Sequence, residues 1–93
     1  LEEAKCAFME VLQQQEFAQA EIKLVCNVAA SDIQDPCFAL AEHLTSPVKW
    51  RQSIYHILDI DVNAHFVECG QGNTLMSMLR YNKKEYLSCL AEV

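Results

Sequence analysis

Ninety-three residues amount to one domain or part of one, and at this size folding buries only about two thirds of the extended chain's surface. Hydrophobic residues are 52% of the chain and charged ones 22%, with two glycines and two prolines, which excludes a disordered chain, a collagen-like repeat and a Gly/Ser linker. Seven Lys+Arg against thirteen Asp+Glu give a net charge of -6, which excludes the basic footprint of a nucleic-acid binder and disfavours an anionic membrane surface.

In chain order, Leu1, Ala4, Phe8, Val11, Leu12 and Gln15 recur at helical spacing opposite Glu2, Glu3, Lys5, Glu10 and Gln13, which predicts an amphipathic helix to about residue 16. Ile22 to Val28 is short, β-branched and almost wholly apolar, the pattern of a strand buried on both faces of a parallel sheet. Asp35-Pro36 reads as N-cap and first helical position, with Cys37, Leu40, Ala41 and Leu44 as the apolar stripe that follows. Ser46-Pro47 repeats that start signal after a turn at Thr45 and Ser46, and Trp50, Ile54, Ile57 and Leu58 form a stripe ending near Ile60. His65 to Cys69 reads as a second short strand, followed by Gly70-Gln71-Gly72 and by Leu75, Met78 and Leu79 at helical spacing. The tail from Asn82 is too short to assign. Two strands and about four helices in this order predict an α/β layered sheet. Because two strands make a poor sheet alone, the remaining strands of the domain are expected elsewhere.

No apolar run approaches the roughly 20 residues of a spanning helix and nothing reads as a signal peptide, so a soluble protein is expected. Cys6, Cys26, Cys37, Cys69 and Cys89 are odd in number, widely spaced and set in apolar stretches, with no C-x-x-C pair. They read as small core residues of a reducing compartment, the cytoplasm or alternatively the mitochondrial matrix, and not as disulfides or a zinc site. The sequence opens at Leu1 already inside a helical pattern, so a portion upstream is expected.

Four constellations invite chemistry. Gly70-Gln71-Gly72 after a strand resembles half of a dinucleotide fingerprint, but the third glycine position is Leu75 and the expected acidic residue falls near Glu92. The plainer reading is a tight turn. His56, Asp59, Asp61 and His65 are metal-ligand types within ten residues, yet they fall on a helix, its end, a loop and a strand, and a solvated helix end accounts for them without a metal. Ser31, Ser46, Ser53, Ser77 and Ser88 coexist with three histidines, but none lies in a G-x-S-x-G elbow, so no nucleophile is expected in this chain. Arg80, Lys83 and Lys84 form a basic cluster, read either as cations at a helix C-terminus or as a docking spot for an acidic partner or a phosphate.

Taken together and in order, Val25-Cys26-Asn27-Val28, Asp35-Pro36, His43-Leu44-Thr45-Ser46-Pro47-Val48-Lys49-Trp50, Ser53-Ile54 and Phe66-Val67-Glu68-Cys69-Gly70-Gln71-Gly72 resemble the C-terminal part of the malonyl-CoA:acyl-carrier-protein transacylases. Members of that family, which shares its fold with polyketide synthase acyltransferase domains, carry a strand ending in S-N-V, a helix with a Q-L pair, a T/S/N-P-V-x-W turn, and a strand ending in E-V-G-P-G before a helix. The resemblance runs from the opening helix to about Arg80.

What it implies is that residues 1–93 form the C-terminal segment of an acyltransferase domain, part of an α/β-hydrolase-like large subdomain with a parallel sheet flanked by helices. The implied reaction moves malonyl from coenzyme A to the thiol of acyl carrier protein through an acyl-serine. The serine, the catalytic histidine and a carboxylate-binding arginine all lie in the missing part. The family's Q-L glutamine falls on His43, whose backbone carbonyl would hold that catalytic histidine in its tautomer. Pro47, Trp50, Gly70 and Gly72 would form structural turns, and Arg80, Lys83 and Lys84 would dock the acidic carrier protein. Malonyl-CoA is then a substrate of the complete domain, and this chain binds no cofactor itself. The implied partners are the rest of the domain and acyl carrier protein, with neither nucleic acid nor membrane. The alternatives are a non-catalytic interaction remnant of the fold and a polyketide synthase fragment. The sequence departs from the family pattern at Cys26, His43 and Gln71.

Overall fold

The computed structural model describes residues 1–91, which carry four helices and a two-stranded antiparallel sheet, a mixed α/β chain. Glu92, the remaining acidic residue of the nucleotide pattern, lies outside the described residues. The chain divides into two compact units, Leu1–Ser53 and Ile54–Val93.

In the first unit, α1 spans Glu2–Gln13, with Glu2 and Glu3 in its first turn, where the helix dipole favours acid. It stops short of residue 16 because the apolar stripe runs out at Leu12. The last turn then tightens, with Gln14 N–H donating to Val11 O and Gln15 N–H to Leu12 O at 3.1 and 3.0 Å. Strands β1 (Val25–Cys26) and β2 (Ser31–Asp32) pair antiparallel with Val25 opposite Asp32 and Cys26 opposite Ser31. Ala30, at φ 54, turns the hairpin, its N–H donating to Cys26 O at 2.7 Å. Helix α2 (Pro36–Glu42) starts as expected: Asp35 Oδ1 accepts from Cys37 and Phe38 N–H at 3.0 and 3.4 Å, and Pro36 sits at the first helical position. Cys37 and Ala41, four residues apart on one face, bring α2 against α1, with Cys37 Sγ donating to Leu12 O at 3.4 Å and Ala41 wholly buried. Lys5 and Glu42 form an ion pair between the same helices.

Helix α3 (Trp50–Ile60) begins four residues after Ser46 and not at it. The Ser46 hydroxyl donates to Glu42 Oε2 at 3.1 Å, so it does not cap α3. In the second unit, the rest of α3 leads into a loop in which Asp61 Oδ1 accepts from Asn63 N–H at 2.9 Å, and α4 then runs over Thr74–Ala91. Ile54, Leu58, Leu79 and Tyr86 are its buried apolar side chains, Leu58 the most deeply at 1% exposure.

Four expectations are corrected by this architecture. The sheet is an antiparallel hairpin and not a parallel pair, and His65 to Cys69 pairs with no strand among the described residues. A strand needs a neighbour for its N–H and C=O groups, and none here lies alongside. The stretch from Ile22 is not buried on both faces: Ile22 is 73% and Leu24 47% exposed. Of the cysteines, all free, Cys6, Cys69 and Cys89 are exposed, and only Cys26 is buried. The tail beyond Asn82 continues α4, so Arg80, Lys83 and Lys84 lie in the interior of an 18-residue helix. The dipole acts only near helix ends and does not explain them.

Candidate functional site

Within the first unit, two of the stretches singled out in the sequence meet, while Phe66 to Gly72 belongs to the second. The hairpin turn supplies Asn27 and Val28, the end of α2 supplies His43, and the following loop supplies Ser46, Pro47 and Val48, which together line a recess of about 50 Å³. One backbone bond ties the loop to the turn, Lys49 N–H donating to Asn27 O at 2.9 Å. The Lys49 carbonyl in turn accepts from Ser53 N–H at 3.0 Å and from the Ser53 hydroxyl at 2.6 Å, so this serine, only 4% exposed, is engaged by its own helix. His43 is the C-cap of α2, and its carbonyl is among those a helix leaves without an intrahelical partner. Its imidazole Nε2 stands 4.0 Å from the sulfur of Cys26. Cys26 and His43, 17 residues apart in the sequence, are therefore neighbours in space.

The electrostatics beside the recess come from the α1–α2 ion pair. The Lys5 ammonium and, more weakly, the Ser46 hydroxyl hold the Glu42 carboxyl below the usual carboxylate range against the opposing effect of burial, and Glu42 raises Lys5 above the ordinary ammonium value. Glu42 thus links α1 to the loop that carries Pro47. Trp50 opens α3 half-buried, and Pro47 is exposed.

The glycine turn has a different role from phosphate binding. Gly70 and Gly72 have φ of +115° and +86°, in the left-handed region where a side chain strains the backbone, and a Cβ at either would meet open space. This double reversal brings the Glu68 carboxylate onto the start of α4, where it accepts from Leu75 N–H at 3.2 Å and Met76 N–H at 3.1 Å. A phosphate at this helix N-terminus would compete with a carboxylate of the same chain. Glu68 was not singled out from sequence. Its signal was an acid just before a glycine turn that opens a helix.

The remaining candidates separate. Arg80, Lys83 and Lys84 line a shallow groove along α4 with Leu87, Ser88 and Ala91, positions that share one helical face. Asp59 accepts the Tyr86 hydroxyl at 2.6 Å and Asp61 its Asx-turn amide, and among the described residues no three His, Cys, Asp or Glu are grouped to hold a metal. No helix of the described residues is long and apolar enough to cross a membrane. Compared with family models, with curated proteins and with solved structures, the chain has no match.

Proposed function

We propose that this chain is the C-terminal segment of an S-malonyltransferase of fatty acid biosynthesis, completing an α/β-hydrolase-like domain whose elbow serine lies outside it. The single observation that carries the reading is the recess: Asn27 and Val28 from one stretch of the resemblance and His43, Ser46, Pro47 and Val48 from another line one spot. His43 is the positioning residue. Its backbone carbonyl accepts a hydrogen bond from the catalytic histidine of the missing part and fixes that ring's tautomer, while Pro47 and Trp50 fix the loop that follows. In the complete domain the serine attacks the malonyl thioester, coenzyme A leaves, and the carrier-protein thiol takes the acyl group from the serine ester. The exposed apolar side chains Ile22, Leu24 and Val67 suit this reading, in which strands of the missing part would lie against them.

The reading also names acyl carrier protein as the partner of the α4 groove, where Arg80, Lys83 and Lys84 concentrate positive charge in a chain of net charge -6. Charge contacts of this kind set encounter rate and salt sensitivity.

The test is complementation. Co-expressed with a transacylase lacking its own C-terminal third but retaining G-H-S-x-G, this chain restores malonyl transfer to carrier protein, whereas alone it acquires no covalent malonyl group. In the restored enzyme, Lys83→Glu with Lys84→Glu raises KM for carrier protein and leaves KM for malonyl-CoA unchanged. Malonyl attached to the isolated chain, or no restoration by a chain that co-purifies with the truncated enzyme, overturns the proposal.

A further inference from the structure

Apart from the acyl-transfer reading, Cys26 stands between a cavity and an imidazole. A partly open cavity of about 210 Å³ lies between the hairpin and α2, lined by Cys26 together with Val28, Ile33, Phe38 and Ala39. Its polar rim includes the carboxylates of Asp32 and Asp35, and no cation lines it. Asp32 is paired with Lys23 at 3.7 Å, and Asp35 accepts two amides as the α2 cap. A buried cysteine in apolar surroundings is ordinarily inert, since nothing nearby takes its proton. Here the His43 imidazole lies beside it, with Nε2 at 4.0 Å from the sulfur. In the tautomer protonated at Nδ1, Nε2 is the acceptor. Cavity and imidazole are two separate features, and Cys26 belongs to both.

We propose that Cys26, with His43 as its base, takes up small uncharged electrophiles of the α,β-unsaturated carbonyl class through this cavity. The step balances without a leaving group or a second reactant. The thiol proton passes to His43 Nε2, and the sulfur pair forms a C–S bond at the β-carbon. The π pair of the C=C bond moves to the α-carbon and carbonyl, and water entering the open side of the cavity gives the α-carbon a proton while His43 returns its own to solvent. The S–H and C=C π bonds are broken, and a C–S and a C–H bond are formed. The cavity sets selectivity: its apolar wall accepts a short carbon chain, and the rim carboxylates, of which Asp32 is paired with Lys23, disfavour an anionic reagent. Cys26 is only 7% exposed, so a reagent too large for the cavity does not reach it.

The experiment treats the full chain with crotonaldehyde or, separately, with anionic iodoacetate, and follows adduct formation at each cysteine by mass spectrometry. Exposed Cys69 and Cys89 serve as references within the same molecule. With crotonaldehyde, Cys26 reacts faster than Cys69 by about tenfold or more, the scale of a modest general-base contribution. With iodoacetate the order reverses. His43→Gln slows the reaction at Cys26 and leaves Cys69 and Cys89 unchanged. Ala29→Phe, placed at the exposed rim of the cavity, slows Cys26 without touching His43 and serves if His43→Gln fails to fold. Slower reaction at Cys26 than at Cys69 in the unsubstituted chain overturns the proposal. So does an unchanged Cys26 rate in whichever of the two variants folds.

Discussion

In the first unit α1 and α2 meet across small side chains, whereas in the second α3 and α4 are joined by large ones. Cα atoms of α1 and α2 come within 8 Å of each other, Cys37 and Ala41 form the face between, and the Lys5–Glu42 pair adds a charged tie. Between α3 and α4, the rings of Tyr55 and Tyr86 pack edge to face at 5.1 Å, and each hydroxyl donates to a carboxylate of the opposite helix. Tyr55 donates to Glu85 and Tyr86 to Asp59, both at 2.6 Å. Small residues bring backbones together and leave no space for added atoms. Large side chains span a wider separation, and each then fills volume that nothing else supplies.

That contrast predicts opposite sensitivities. Leu58→Ala, at the most deeply buried large side chain, should cost about 3 kcal/mol, since a cavity remains where the side chain was. Hydrogen exchange at the α4 amides should accelerate about a hundredfold. In the first unit the damaging change is enlargement. Ala41→Leu should cost about 1–3 kcal/mol by forcing α2 off α1, whereas Ala41→Gly removes little volume. If Ala41→Leu left exchange in α1 and α2 unchanged, the close approach would not be what holds them.

Much of this was legible in the sequence, and the boundary is physical. Asp35-Pro36 forecast the start of α2 because cap chemistry is local, and Ile54 and Leu58 marked the buried stripe of α3 because period is local. Ser46-Pro47 misled because the hydroxyl had a nearer partner in Glu42 than the α3 backbone. The strands were misjudged for a tertiary reason: apolar character marks a segment fit for burial but does not supply its neighbour. Tyr86 and Asp59 stand 27 residues apart and Cys26 and His43 17 apart, so no local spacing announced either meeting. The convergence of Asn27, His43 and Pro47 was likewise invisible to periodicity.

A smaller effect concerns how the second unit begins α4. Glu68→Ala removes the acceptor of two first-turn amides and should cost about 1 kcal/mol, the usual worth of a helix cap. The first turn of α4 should then exchange faster than its centre, since fraying starts at the uncapped end. Glu68→Gln retains an acceptor oxygen but loses the charge that favours the positive end of the helix, and should fall between the two. Equal exchange in all three proteins would show that the glycine turn alone, and not Glu68, sets the start of α4.

The smallest expected effect separates the units by pH. Glu42 has its folded pKa lowered by Lys5, so its contribution is present above the ordinary carboxylate range and lost as pH falls through the lowered value. Tyr86 has its folded pKa raised, first by its hydrogen bond to Asp59 and then by burial. Its contribution is therefore present below the ordinary tyrosine range and lost as pH rises through the raised value. Lys5, raised by Glu42, adds an alkaline limb to the first unit as well, so acid is the condition that tells the two ties apart. In acid, exchange of α1 and α2 amides should quicken in the unsubstituted chain, and Glu42→Gln should abolish that response by removing the titrating group. In alkali, tyrosinate absorbance followed in a Tyr55→Phe background should show Tyr86 ionising late, and adding Asp59→Ala should return it toward the ordinary range. Screening keeps both changes small, and they should shrink further for the Lys5–Glu42 pair as salt is added. A late-ionising tyrosine that persists in Asp59→Ala would assign the shift to burial of the ring and remove the Tyr86–Asp59 bond from the account of how α3 and α4 are held.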